Sequence, residues 1–430
     1  MAIPEINEPT PVKTEADANL PATDHPEAET PAAPPVPLTS EEKEEQDEKK
    51  RRLLLLLLLL LLVCLCCVCG LLGRYLIKKE PLPNIIIPTQ VSVCTRPAYK
   101  FSINNVDGPV SVALSPDGNR IYAAETGGSR LVKVFDRDGN FVTSFAPPGT
   151  DKANREPKYM AVDKQGRIFL VDRTSQAIDI YDPNGNLIDA IIGRQMTLTK
   201  YIAQQSGGSV PRGLIITHYE GINKNLTYTS DLGLKTIHLT IPEENYPFSP
   251  LGLRFDADGN LIYTDTTTDA HSVRVIPAAA LEGDLSSFAP VIAAFGSEGP
   301  GNEQFQFPQT VVKDGRGNFY ISDGNNARVS VWTPERAYKT FFGFGQTQGA
   351  LNLPRGMWMA RGDCLVVADA VGSTLRVYNV SGDEPQFAFD IGEFGLEEGK
   401  FNYPIDVYID GTGRLYIADR DNNRIQVWSY

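Results

Sequence analysis

A short unit repeated along most of this chain constrains its fold more than any other feature of the sequence. The clearest copy is PIDVYIDGTGRLYIADRDNNRIQVW at 404–428. It reads as three short strands separated by a GTG turn and a DNN turn, with alternating or continuous apolar residues and few helix signals. The unit therefore predicts an all-β fold assembled from repeated antiparallel strands.

A proline followed fifteen residues later by an acid marks five copies of this unit in one register. The pairs are Pro157 and Asp172, Pro250 and Asp265, Pro308 and Asp323, Pro354 and Asp369, and Pro404 and Asp419. Two looser copies, Pro109 with Glu125 and Pro211 with Asp231, bring the count to seven. The copy at Pro211 lacks the asparagine turn and an obvious fourth strand, so six and seven complete units both stay open.

The pattern PxxxxxDxxGxLYIADxxNxRIxxW resembles the NHL repeat, and the resemblance covers about 98–430. It is strongest at 304–332 and in the last copy. Known members of that family form β-propellers, so the resemblance implies a propeller of six or seven blades around a central tunnel. The same fold has a physical reason. A three- or four-stranded unit cannot bury both faces alone, and a ring of such units leaves only short, protected edges.

The last copy stops at Tyr430, directly after its third strand, so we expect its outer strand to come from elsewhere in the chain. AYKFSI at 98–103 matches AYKTFF at 337–342, which occupies a fourth-strand position. The N-terminal and C-terminal strands of the propeller are therefore predicted to share one blade.

Three segments of contrasting composition precede the repeats. Residues 1–52 are rich in proline, alanine and acids, which predicts a disordered tail. The stretch from Leu53 to Leu72 contains no charge and matches the length of roughly 20 apolar residues that crosses a bilayer, so 53–73 is predicted as a transmembrane signal anchor. Prolines punctuate 74–97, which predicts an extended spacer.

Basic residues flank the apolar stretch unequally. Those before it are Lys43, Lys49, Lys50, Arg51 and Arg52, and those after it are Arg74, Lys78 and Lys79. This bias favours a cytoplasmic N-terminus, so we expect a single-pass protein of the cell membrane with its propeller outside the cytoplasm. Cys94 and Cys364 would then lie on the oxidising side, where they could form a disulfide if their Cα atoms are close enough.

The acid that ends the second strand of each repeat has two interpretations. A ring of such acids could bind calcium, but seven of them spread around a propeller are too far apart to share one ion. Each acid can instead accept hydrogen bonds from the turn that follows it, which is the interpretation we prefer. No metal-ligating or catalytic residue is assigned and no cofactor is predicted, although calcium held by carboxylates and asparagines stays open.

The functional alternatives are a binding module and an enzyme. Propellers of related sequence include amidating lyases and lactonases, so the resemblance implies a metal-dependent hydrolase or lyase with a site in the tunnel as one alternative. The histidines of the repeat region, His218, His238 and His271, fall on opposite faces and do not predict a zinc site. We expect instead a binding or scaffold module for an extracytoplasmic protein, peptide or glycan.

Nucleic acid is not expected as a partner, because the chain has a formal net charge of −13 and no basic stripe.

A candidate ligand site follows from the repeat register. In a propeller, the residue directly after each proline begins the innermost strand beside one mouth of the tunnel. These positions hold Val110, Lys158, Arg212, Leu251, Gln309, Arg355 and Ile405, of which three are basic and none is acidic. The loop at 194–210 adds further candidates. The predicted ligand-binding residues are therefore Lys158, Arg212, Arg355, Arg194, Lys200 and Tyr201. They suit a peptide carboxylate or an acidic sugar, unless their role is to brace neighbouring blades.

Overall fold

The structure is a computed structural model. It describes residues 48–59, 94–147, 155–192, 202–203, 215–218, 225–230, 233–240, 249–282 and 293–429. The chain divides into two units, Met1–Ile87 and Pro88–Tyr430. In the first unit, residues 48–59 form a helix in which Arg52 pairs with Glu48, one turn earlier, at 3.1 Å.

The predicted N-terminal segments fall mostly outside the described residues. This applies to 1–47 of the predicted tail, to 60–73 of the predicted membrane span and to 74–93 of the predicted spacer. Within the parts of the chain that the structure does describe, no helix is long and apolar enough to cross a membrane.

The second unit is a ring of antiparallel sheets, which confirms the predicted all-β propeller. Its strands begin with β1 (Ala98–Ile103) and the first blade, β2 (Pro109–Leu114), β3 (Arg120–Glu125), β4 (Val132–Asp136) and β5 (Phe141–Phe145). The second blade contains β6 (Pro157–Val162), β7 (Ile168–Asp172), β8 (Ala177–Tyr181) and β9 (Leu187–Ile192), and it is followed by β10 (Ile215–His218), β11 (Asn225–Ser230) and β12 (Gly233–Thr240). The third blade contains β13 (Pro250–Phe255), β14 (Leu261–Asp265), β15 (Ser272–Ile276) and β16 (Ala293–Phe295), with a short helix, Ala278–Glu282, before β16.

The remaining strands complete the ring. A two-stranded sheet of β17 (Ser297–Glu298) and β18 (Gln304–Phe305) precedes the fourth blade, which is β19 (Pro308–Lys313), β20 (Phe319–Asp323), β21 (Arg328–Trp332) and β22 (Tyr338–Phe342). The fifth blade is β23 (Pro354–Ala360), β24 (Cys364–Asp369), β25 (Thr374–Asn379) and β26 (Gln386–Ile391). The sixth is β27 (Pro404–Ile409), β28 (Arg414–Asp419) and β29 (Arg424–Ser429), joined by β1.

The described residues form six blades, and the third of the seven sequence repeats does not supply a blade of its own. Its strands β10 to β12 form an antiparallel strip that extends the second blade, because β12 pairs in parallel with the outer strand β9. The innermost strands pack in the closed order β2, β6, β13, β19, β23 and β27. Since β6 contacts β13 directly, the ring has no place for a seventh innermost strand.

Ring closure occurs as predicted from the matching AYK segments. Strand β1 pairs antiparallel with β29, with Ala98 opposite Ser429 and Ile103 opposite Ile425. The core lies between neighbouring blades. Between the first and sixth blades it contains buried residues of both, among them Val112 and Tyr416. Close approach of the inner strands requires a glycine at one point, since a Cβ on Gly252 would lie 1.5 Å from the carbonyl oxygen of Gln309.

The two ends of the ring differ in their connections. The prolines that start the innermost strands pair with the acids that end the second strands, as in Pro404 with Asp419, and we call this end the mouth face. The opposite end, the hairpin face, carries the turns between the first and second strands. Strand β1 begins at the hairpin face, because Ala98 pairs with Ser429 and Ser429 pairs with Arg414.

Acids on the mouth face bind their turns, which confirms the structural interpretation. Asp419 accepts hydrogen bonds from Asn402 N at 2.8 Å, from Asn422 Nδ2 at 2.9 Å and from Arg424 Nε at 2.8 Å. Asp323 makes the corresponding bonds with Gln306 and Arg328. Each acid thus ties the loop that enters a blade to the turn within that blade.

Two acids in first hairpin turns, Asp314 and Asp410, have pKa values below their ordinary range. Burial alone would raise the pKa of the Asp314 carboxyl, but hydrogen bonds from Asn318 and Arg316 outweigh it and lower that pKa. The folded-state pKa is therefore below the unfolded value of 3.8, so this stabilisation is present above that pH and is lost as the pH falls through the folded pKa.

Between about pH 5 and about pH 3, the free energy of unfolding should fall less for Asp314→Asn than for the parent. Equal falls in urea titrations would contradict this.

A disulfide joins Cys94 to Cys364, with Cα atoms 5.7 Å apart, and thereby resolves the question that the sequence left open. It closes a loop with a sequence separation of 270 residues at the hairpin face.

Because a long closed loop restricts the unfolded chain, Cys364→Ser should lower the free energy of unfolding by about 2–4 kcal/mol. Denaturation of the oxidised parent and the variant measures this. The reduced parent should match the variant, and a difference between them would show that the serine itself perturbs the fold.

Candidate ligand-binding site

A cavity of about 500 Å³ opens at the mouth face of the central tunnel. Its walls come from several blades. The lining residues are Val110, Thr126, Arg130, Glu156, Lys158, Tyr159, Arg173, Leu251, Phe307, Gln309, Arg355, Tyr403, Ile405 and Arg420. The volume lies within the range of small-molecule sites, roughly 300–1,000 Å³.

The register of the repeats places one residue from each blade in this cavity. The residues that directly follow the six blade prolines are Val110, Lys158, Leu251, Gln309, Arg355 and Ile405, and all of them line it. Of the predicted ligand-binding residues, Lys158 and Arg355 are therefore brought together. Arg194, Lys200, Tyr201 and Arg212 lie outside the described residues. A role in binding stays a prediction for the whole set.

Five cationic side chains and one carboxylate line the cavity. The cations are Arg130, Lys158, Arg173, Arg355 and Arg420, and the carboxylate is Glu156. Three of these arginines were not predicted from the sequence. Arg173 and Arg420 directly follow the acids Asp172 and Asp419, and that position was the available signal. The whole chain has a net charge of −13, so this cavity is a local region of positive electrostatic potential on a negative protein.

Two of the cations also brace neighbouring segments. Arg173 Nη1 donates to Ser249 Oγ at 3.1 Å and to Thr266 Oγ1 at 2.8 Å, both in or beside the next blade. Arg130 Nη1 donates to the carbonyl oxygen of Arg155 at 2.9 Å. Arg130 and Arg173, which were outside the predicted set, therefore brace neighbouring segments.

The other three cations make weaker contacts within the protein. Lys158 pairs with Glu156 at 2.8 Å, where both side chains are partly exposed and the pair contributes little to stability. Arg355 Nη2 lies 3.5 Å from the hydroxyl of Tyr403. The guanidinium carbon of Arg420 lies 5.3 Å from the centre of the Tyr403 ring, a cation–π contact. Arg420 Nε also lies 3.7 Å from Asp421 Oδ1, in a pair whose side chains are both partly exposed. Arg355 and Arg420 thus both contact Tyr403, and the N–H groups not used in these contacts are the donors that a ligand would meet.

Tyr159 lies deeper in the cavity and is only 3% exposed. Its hydroxyl has no hydrogen-bond partner among the described residues. Burial raises its pKa, so the hydroxyl stays protonated and can donate. A buried hydroxyl without a partner is unfavourable by about 1–3 kcal/mol, and an anionic group entering the cavity would relieve that penalty.

Two aromatic residues at the mouth have left-handed backbones. Phe307 has φ 52° and Tyr403 has φ 58°, and each directly precedes a blade proline. Bulky residues seldom adopt this region, which is unfavourable by about 1–3 kcal/mol. The backbone N–H of Phe307 donates to His271 Nδ1 at 3.3 Å, and the two rings lie 4.9 Å apart. Backbone strain of this kind clusters at functional sites. Here the left-handed backbones place the rings of Phe307 and Tyr403 beside the cations.

A buried ion pair lies below Tyr159. The Arg254 guanidinium donates to Asp406, and the two side chains are 4% and 0% exposed. Burial raises the pKa of the Asp406 carboxyl, while Arg254 and the Ser111 hydroxyl oppose that rise. The guanidinium also packs over the rings of Tyr159 and Trp358, at 5.9 and 5.5 Å. Trp358 lines a second cavity of about 460 Å³, which opens among the hairpin turns of blades three to five.

Metal ligands do not converge in the part of the ring that the structure describes, where no group of three or more His, Cys, Asp or Glu side chains could hold an ion. His218 and His238 lie in β10 and β12 of the added strip. His271 is buried in the third blade, with its Nδ1 3.2 Å from the carbonyl oxygen of Phe305.

These features define a class of protein, the six-bladed β-propeller closed by its N-terminal strand. Its last blade contains an NHL repeat, since residues 401–428 match the family model of that description.

Several solved structures are similar in shape. A streptogramin B lyase has 12% identity and a TM-score of 0.49, covering 77% of this chain and 98% of its own. A catalytically inactive virginiamycin B lyase from Staphylococcus aureus, solved with quinupristin, has 15% identity and a TM-score of 0.48 over 77% of this chain and 98% of its own. A gluconolactonase from Xanthomonas campestris has 13% identity and a TM-score of 0.48 over 78% of this chain and 95% of its own.

Proposed function

We propose that this protein is a membrane-anchored binding module that captures an anionic ligand at the mouth of its propeller, outside the cytoplasm. The observation that carries the proposal is the set of five cations and one carboxylate around a cavity of about 500 Å³. Guanidinium groups bind carboxylates, sulfates and phosphates through paired, charge-assisted hydrogen bonds. The ligand classes that fit are an acidic peptide or protein segment and an acidic glycan.

The anchoring part of the proposal rests on two features. The uncharged stretch from Leu53 to Leu72 has the length of a membrane span, and basic residues are more numerous before it than after it. The disulfide between Cys94 and Cys364 fits an oxidising compartment.

Protease added to intact cells should cleave the propeller and spare residues 1–52. A protected propeller with an accessible tail would contradict this orientation.

A panel of anionic probes tests ligand capture by the full chain purified in detergent. The panel contains hexaglutamate, an oligogalacturonate and a heparin fragment, with hexaglycine and a neutral maltodextrin as references. The mouth variant carries Lys158→Gln, Arg355→Gln and Arg420→Gln. The matched control carries Lys100→Gln, Lys164→Gln and Lys339→Gln, three exposed lysines that do not line the cavity.

At least one anionic probe should bind the parent, and the mouth variant should bind it about a hundredfold to a thousandfold more weakly, since each of the three lost cations is worth about 1–1.5 kcal/mol. The control should bind like the parent. Binding by the parent should also weaken as the salt concentration rises, and this dependence should shrink in the mouth variant. Equal weakening in both triple variants would mean a general charge effect and would contradict the proposal. Metal-dependent turnover of lactones or esters would replace it with the enzyme alternative.

A further inference from the structure

The mouth face carries exposed apolar side chains around blades four to six, which we call the apolar arc. Its members and their exposed fractions are Phe307 at 44%, Phe344 at 63%, Val371 at 59%, Phe394 at 68% and Leu396 at 70%. The other large apolar residues that are exposed in the described part of the propeller, Phe141, Val142, Ile188 and Phe341, lie on outer strands. Apolar side chains exposed to between 44% and 70% on one face lose unfavourable contact with water when a partner covers them.

The arc sits on an ordered backbone. Arg424 Nη1 donates to the carbonyl oxygen of Leu396 at 3.0 Å, and Asn422 Nδ2 donates to that of Gly395 at 2.9 Å. Phe394 pairs with Phe401 in a short parallel bridge. At the end of the fourth blade, the Phe344 ring packs against Phe341 of β22 at 6.3 Å. A partner would therefore meet side chains that are already positioned, which reduces the entropy lost on binding.

Charges on either side of the arc differ in sign. The cavity with its five cations lies toward the ring centre. The loop that carries Phe394 and Leu396 also contains Glu393, Glu397 and Glu398, and Lys400 pairs with the first two at 3.2 and 3.7 Å. An occupant of both cavity and arc must therefore be anionic at its inner end and apolar behind it, without further negative charge near this loop.

We infer that the apolar arc and the basic mouth together form a docking surface for an acidic and apolar segment of a partner protein. The inference rests on the proposed function and specifies its ligand. Carboxylates of the segment enter the cavity near Arg355 and Arg420, and apolar side chains behind them cover Phe344, Phe394 and Leu396. Charge complementarity favours a peptide over an anionic bilayer, because the cations line a recessed cavity while the glutamates of the loop would face the lipid headgroups.

Two labelled peptides test this with the full chain. The first has three glutamates followed by two phenylalanines and a leucine, and the second has serines in place of the three apolar residues. The arc variant carries Phe344→Ser, Phe394→Ser and Leu396→Ser. The control variant carries Phe141→Ser and Val142→Ser, which are exposed on β5. A Phe394→Ser single variant and thermal melts guard against misfolding of the arc variant.

The parent should bind the apolar peptide at least about tenfold more tightly than the serine peptide. This preference should disappear in the arc variant, shrink in the single variant and persist in the control. Equal affinity of the parent for both peptides would overturn the inference, while weaker binding of both by the mouth variant would leave the proposed function in place. Failure of both peptides to bind would also overturn it, and the glycan probes would then decide the proposed function alone. Arc-dependent sedimentation with phosphatidylserine vesicles, without the peptide preference, would assign the surface to lipid instead.

Discussion

Replacing Asp406 with alanine should lower the free energy of unfolding by about 3–5 kcal/mol. Asp406 is fully buried and accepts hydrogen bonds from Arg254, from Ser111 Oγ at 2.8 Å and from the backbone N–H of Val112 at 3.2 Å. Its removal leaves the Arg254 guanidinium, itself 4% exposed, without a counter-charge. The expected loss reflects that isolated charge more than the net worth of the ion pair.

Urea denaturation at neutral pH measures the effect. Asp383→Ala is a control, because the Asp383 side chain is fully exposed and should change the stability by less than about 0.5 kcal/mol. Combining Asp406→Ala with Arg254→Met should recover part of the loss, since the uncompensated charge is then absent. A loss below about 1 kcal/mol for Asp406→Ala would show that the pair does not hold the innermost strands together.

Deleting Ala98–Ile103 should open the ring and cause aggregation. The deletion removes β1, which leaves the hydrogen-bonding edge of β29 without a partner, and bare strand edges pair with other chains. It also removes Ile103, which is 3% exposed, and loss of one such core side chain alone is worth about 2–5 kcal/mol.

Size-exclusion chromatography and thermal melts of the deletion variant measure both effects. Lys100→Gln, an exposed change within β1, is the control and should behave like the parent. A deletion variant that stays monomeric and melts with the parent would contradict the closure of the ring by this strand.

The fold was predictable where the information is local or repeated. Turn residues and alternating apolar positions predicted the strands, and the match of AYKFSI to AYKTFF predicted the shared blade, which β1 and β29 form. The repeat count was less predictable. A proline and an acid at the right spacing mark a hairpin unit, but they do not specify whether its first strand enters the ring or, like β10 to β12, joins an outer edge.

The site was predictable in part for the same reason. The position after each proline is fixed by the repeat register, so Lys158 and Arg355 could be assigned to the mouth. Arg130, Arg173 and Arg420 belong to the turns after the second strands, and only the assembled ring brings those turns beside the innermost strands. The disulfide depends on the distance between Cys94, which precedes β1, and Cys364 in the fifth blade, and this distance is a tertiary property.

Protection of the mouth arginines by a bound ligand is the most direct measurement of the proposed site. Phenylglyoxal labels accessible arginines, and mass spectrometry of the full chain can compare labelling with and without saturating hexaglutamate or oligogalacturonate, whichever binds. We expect Arg355 and Arg420 to be labelled in the free protein and protected by the ligand, while Arg336 and Arg361, which do not line the cavity, are labelled equally in both states. Binding without protection of Arg355 and Arg420, or with protection only of arginines elsewhere, would contradict an anion site at the mouth.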